Sequence, residues 1–167
     1  MIRPGALVCC VVALASVTSC SVSVSAVKDT QFRTVWSRDW AIVNTSAEPL
    51  LPSGSSPGAC NKGAVALDCV STGKNMVAAL SKLGTDLAAV TTPRQYTAAS
   101  TGIQHAIQID IKGITDRDTA IETQNSILFT AAIAEVQQAA NLFAQGYAQF
   151  PQAIRPTPQP FNGALSG

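Results

Sequence analysis

His105 is the only histidine in the chain and the only side chain suited to ordinary general-base work near neutral pH. Such a base needs a partner that fixes its tautomer and tunes its pKa. On a helix, its neighbours three and four residues away are Thr101, Gly102, Gln108 and Ile109, none of them a carboxylate. Asp110 follows five residues on, off that face. Asp116 and Asp118 lack the glycine and further oxygens of a calcium loop and read as a solvated helix face. The sequence holds no glycine-rich phosphate loop, zinc-ligand spacing or serine-nucleophile elbow. The expectation is a chain that is not an enzyme, with no catalytic residue, no metal and no cofactor.

The five cysteines carry the remaining chemistry. Arg3 and the free amine open the chain, and Ala6 to Val17 is uncharged and mostly apolar, the length of a signal-peptide core. That run is shorter than the ~20 residues that span a bilayer core. It ends in Val17-Thr18-Ser19-Cys20, which resembles the bacterial lipobox: a branched apolar residue, two small ones, then the cysteine that is acylated and becomes the new N-terminus. Residues 1–19 are then a signal peptide, residues 20–27 a lipidated tether, and the chain is held at the cell membrane on its extracytoplasmic face. A cleaved signal ending near Ser25 and Ala26, discarding Cys20, competes with this, as does an uncleaved anchor. Cys9 and Cys10 act as small hydrophobes within the apolar run. Cys60 and Cys69 are left, and two cysteines in an exported chain are most simply a disulfide. A straight helix would hold them ~13 Å apart, whereas a disulfide needs Cα atoms within ~7 Å. The segment between them must bend back.

Helical periodicity supplies the frame. Phe32, Val35, Trp36, Trp40 and Val43 predict a first helix from Lys28 to about Thr45. Prolines 49, 52 and 57 with glycines 54 and 58 make the next stretch a loop. Val70, Val77, Leu80, Leu83, Leu87 and Val90 stripe a second helix over 68–90, with Lys74, Lys82 and Asp86 at wetter positions. Pro93 suits the first turn of a third helix carrying Tyr96, Ile103, Ile107, Ile111, Ile114 and Ile121 as far as Glu122. A break at Gly113 with a fresh start at Thr119 is the alternative. Thr123 and Gln124 form a tight turn, Asn125 caps, and a fourth helix spans 126–149, where Glu135, Gln137, Gln138, Asn141 and Gln145 argue against a membrane span. The tail, residues 151–167, is proline-rich and expected to be extended or disordered.

Short turns make antiparallel neighbours. The expected fold is all-α: an up-and-down helical bundle over residues 28–150, three long helices plus a shorter N-terminal one, with one disulfide. Whether the first helix is a fourth bundle member or a lid stays open. Phe32, Trp36 and Trp40 are core residues, or could line an apolar ligand pocket. Without residues 1–19 the chain has ten basic and ten acidic residues, a balance that argues against nucleic acid.

The lipobox, the cysteine pair, and the stretch from Gly113 through Arg117, Ala120 and Asn125 into the alanine-rich Phe129 to Ala134 together resemble small actinobacterial, notably mycobacterial, lipoproteins. The resemblance covers about half the chain. It implies location and fold and supplies no catalytic residue. The expected function is a lipid-anchored binding or interaction module of the cell envelope, its partners the membrane and an envelope protein. The alternative is an envelope carrier holding a lipid or other apolar ligand between its helices.

Overall fold

The structure, a computed structural model, describes residues 7–47 and 66–156, with side chains from Ala26 and from Cys69 onward in the two segments. The described residues form four α-helices and no strand: α1 (Leu7–Ala47), α2 (Ala66–Ala89), α3 (Thr97–Thr123) and α4 (Ser126–Gln149). Cross-helix contacts give their directions. Arg38 meets Asp86 and Asp39 approaches Lys82, so α1 and α2 are antiparallel. Lys74 pairs with Glu122 while Gly84 faces Ile107, so α2 and α3 are antiparallel too. Gly102 lies against Gly146, and Gly113 against Val136, which does the same for α3 and α4. The result is an up-and-down four-helix arrangement.

Three expectations need correcting. The N-terminal helix is the longest, 41 residues, because nothing from Leu7 to Ala47 is a proline or glycine that would stop it. Residues 20–27 continue that helix. Pro93 caps a single 3-10 turn, Arg94–Tyr96, and α3 begins only at Thr97. The start of the tail is ordered: Gln152–Ile154 is a 3-10 turn with Ile154 buried, and Arg155 Nε donates to the Phe150 carbonyl at 2.7 Å. Residues 157–167 lie outside the described part.

The α3–α4 turn follows the sequence closely. The helix α3 runs unbroken through Gly113 and Thr119 to Thr123. Gln124 takes the left-handed conformation (φ 55°), and the Asn125 N–H donates back to the Ala120 carbonyl at 2.9 Å. The Asn125 side chain then accepts from the Leu128 N–H at 3.0 Å, capping α4.

Two unlike seams close the bundle. Between α3 and α4, small residues recur every seven positions: Ala99, Ala106, Gly113 and Ala120 on one helix, Ala132, Ala139 and Gly146 on the other, all buried. The backbones therefore approach closely. A methyl on Gly102 would sit 3.6 Å from the Gly146 Cα, ordinary contact. One on Gly113 would sit 2.8 Å from Val136 Cγ2 and 3.0 Å from its backbone nitrogen. Gly113→Ala is accordingly expected to lose about 1–3 kcal/mol through overpacking, less the fraction of a kcal/mol that alanine returns as a better helix former. Gly102→Ala should be neutral or slightly stabilising. Urea unfolding of the two variants side by side checks the pair.

The other seam is aromatic. Trp36 packs at a tilt against Trp40 (centroids 4.7 Å apart) and Phe150 (5.1 Å), Trp40 against Phe143 (5.4 Å), and Phe32 against Tyr96 (5.3 Å). These rings join α1 to the last turns of α4, so α1 is a full member of the bundle and not a lid. Of the described helices, α4 alone is long and apolar enough to cross a membrane by length and composition. It is one-sided: Ala132, Val136, Ala139, Phe143, Gly146 and Tyr147 are buried, while Gln137, Gln138, Asn141 and Gln145 are exposed.

Candidate functional site

Phe32, Trp36 and Trp40 lie four residues apart, one face of α1, and are 0%, 0% and 1% exposed. They face other rings, not an opening. One polar atom among them is unmatched: Trp36 Nε1 is buried with no hydrogen-bond acceptor. His105 is exposed on α3. Cys69 is buried near the start of α2, while Cys60, its expected disulfide partner, and the side chain of Cys20 lie outside the described residues.

The structure gathers a group that lies dispersed along the sequence. Asp118, expected on a solvated face, is 6% exposed, and its neighbour Arg117 is 5% exposed. Arg117 donates to Asp118 Oδ1 through Nε at 3.0 Å and Nη2 at 2.7 Å, and Nη2 also reaches the Cys69 carbonyl on α2 at 3.3 Å. The pair fits because residue 73 of α2 is glycine: a Cβ there would meet Asp118 Oδ2 at 2.1 Å and Arg117 Nη2 at 2.5 Å. Burial pushes the Asp118 carboxyl up, with Arg117 pulling the other way. Asp110 lies two turns earlier on α3, 2% exposed, and neither of its oxygens has a hydrogen-bond donor. Burial pushes its carboxyl up to about 7, although the Arg117 charge acts to lower it.

A second charged cluster ties α1 to α2. Asp39 is 1% exposed and takes a two-pronged grip from Arg38, at 2.7 and 2.9 Å. Arg38 also reaches Asp86, and Lys82 Nζ lies 2.6 Å from Asp86 and 3.9 Å from Asp39. The Lys82 hydrogen bond, foremost, holds the Asp86 carboxyl below its usual range. Beside this cluster an open groove of about 470 Å³ runs between α1 and α2, lined by Ile42, Thr45, Ser46, Thr72, Asn75 and Lys82 among others.

Each carboxylate that is held is held by a cation, and the one that is not, Asp110, is closed off from solvent. Among the described residues no three His, Cys, Asp or Glu side chains converge as metal ligands. Comparison with protein-family models, with curated proteins and with solved structures returns no match to this chain.

Proposed function

We propose that the chain is a lipid-anchored, extracytoplasmic helical interaction module of the cell envelope, acting through its surface and position and not through chemistry on a substrate. The observation that carries this reading is the filled aromatic seam: the three residues best placed to line an apolar pocket are at most 1% exposed and pack against Tyr96, Phe143, Tyr147 and Phe150. What is left to meet a partner is the outer surface. The lipobox tetrapeptide ending at Cys20 and the resemblance to small actinobacterial lipoproteins support the location. Cleavage before Cys20 would place the lipid at the head of α1, about 18 Å along the helix from Phe32. A Cys60–Cys69 disulfide belongs to the same reading; Cys69 is buried near the start of α2. The envelope-carrier alternative draws on the unmatched Trp36 Nε1, a buried donor that a ligand could satisfy if α1 parted from α4.

Acylation adds ~0.8 kcal/mol per buried methylene, so two or three chains would anchor the protein stably. Cys20→Ala is expected to release it from membranes in its native host. Retention unchanged, with no lipid mass on the N-terminal peptide, would overturn the anchoring. Mass spectrometry of protein extracted from its own envelope, without reduction, should show lipid on Cys20 and the Cys60 and Cys69 peptides joined. A retained apolar ligand in the native spectrum would turn the reading to the carrier.

A further inference from the structure

Among the described carboxylates, Asp110 is the one shut in with both oxygens unmatched. It sits on the apolar stripe of α3, between Ile107, which faces Gly84 of α2, and Gly113, against which Val136 of α4 packs. The charges around it are committed elsewhere. On α3, Arg117 is bound to Asp118 and to the Cys69 carbonyl, and Lys112 to Asp116 and Glu135. On α2, Lys74 pairs with Glu122, and Lys82 with Asp86. On α4 the only ionisable groups are Glu135, already paired with Lys112, and Tyr147. On α1, Arg38 is engaged by Asp39 and Asp86, and Arg33 by Asp29 and Tyr96. Each of these cations is thus engaged by another group; His105, five residues before Asp110 on α3, is exposed, and the cation in the same row of the helix, seven residues on, is Arg117.

We propose that Asp110 is a pH-sensitive latch: it is folded into the bundle as the neutral acid, and its ionisation draws Arg117 away from Asp118 and the Cys69 carbonyl, loosening the first turns of α2 from α3. The latch is a property of the bundle and holds whether or not Cys20 carries lipid. A buried charge without a donor is far costlier than a buried neutral acid. Two ways relieve it: Arg117 swings over, or water enters between α2 and α3. Both give up the one hydrogen bond by which α3 holds the α2 backbone at Cys69.

The direction in pH follows from linkage. The folded-state pKa of about 7 lies above the ordinary aspartate value of 3.8. The folded bundle therefore binds the proton more tightly than the unfolded chain does. The stabilisation is complete below the unfolded value and is lost as pH rises through the folded one. Between about pH 5 and about pH 8 the unfolding equilibrium constant should grow roughly a hundredfold. Asp110→Asn, which keeps the shape and cannot ionise, should remove that growth.

The test uses the full chain in detergent. Urea unfolding across this range should show the hundredfold change in wild type and less than about threefold in Asp110→Asn. Hydrogen exchange, corrected for the intrinsic pH dependence of amides, should quicken in the first turns of α2 and not in α4. Infrared spectra of the wild type should carry the C=O stretch of a protonated, buried acid at low pH and lose it above neutrality, a readout that survives if the variant fails to fold. The proposal is overturned by a flat wild-type profile, by an undiminished profile in Asp110→Asn, by a profile abolished only in Asp118→Asn, or by the absence of the protonated-acid band.

Discussion

Arg117→Met is expected to cost about 3–5 kcal/mol of folding stability, the range for removing one partner of a buried ion pair. The reason is what it leaves behind. Asp118 is 6% exposed and takes both of its Arg117 hydrogen bonds on Oδ1, so methionine strands a carboxylate between α2 and α3. The Cys69 carbonyl loses its donor as well, and Asp110 loses the charge that acts to lower its pKa. A domain of this size has about 5–15 kcal/mol in hand, so the loss takes about a fifth of it or more and should show as a clearly lower urea midpoint. The companion Arg117→Met with Asp118→Leu separates attraction from stranding. If the pair's main contribution is to satisfy itself, removing both partners should recover most of the loss, because apolar replacements of a buried pair are often neutral or better. Urea midpoints of the two single variants and the double variant form the cycle. A single-variant loss below about 1 kcal/mol would mean that the pair is solvated in solution.

Trp40→Ala should cost a similar amount, about 3–5 kcal/mol. Trp40 is 1% exposed and touches three rings: Trp36 at 4.7 Å, Phe143 at 5.4 Å and Tyr147 at 6.0 Å. Each such pair contributes roughly 0.5–1.5 kcal/mol beyond its buried area, and the cavity left by an indole cannot collapse while α1 is held by Phe32 and Trp36 on one side and Val43 on the other. Trp40→Phe should lose less than half as much, because a ring remains against Phe143. Thermal melts read by circular dichroism give the order directly. A loss under about 1 kcal/mol would reveal a seam that yields readily, and would favour the carrier over the interaction module.

The apolar periodicity made the helices legible. The stripes on α2, α3 and α4 ran in phase through their true ends, and Asn125 announced the start of α4 because a short side chain that accepts a hydrogen bond is what a helix start needs. Charge type, by contrast, was a poor guide to burial. Asp110 lies three residues after Ile107 and four before Ile114, on the stripe itself, and Arg117 repeats its position seven residues later. That phase was readable in the sequence, yet an acid on a stripe reads as an interruption until a glycine on another helix opens room for it. For Arg117 and its neighbour Asp118 that glycine is Gly73, and nothing local to it points at them. The seven-residue recurrence of alanine and glycine on α3 and α4 was likewise visible, but its meaning depends on two helices being brought into register by the turn at Gln124. The length of α1 is a different matter: residues 20–27 read as a tether from the cysteine at their head, yet they hold no helix breaker and continue the helix.

The aromatic seam also sets an order of events. Phe32 and Trp36, near the start of the described chain, are sealed by Phe150, near its end, and Tyr147 is held in place by the Pro156 carbonyl beyond it. The α3–α4 hairpin, joined by a two-residue turn, needs only local encounters and can form early. The ring cluster cannot. A chain that emerges from its N-terminus onward, from a ribosome or through a narrow pore, must carry its tryptophans uncovered until almost the last turn of α4 has followed. Such a chain keeps the aromatic face of α1 open until the end of α4 is free to close on it.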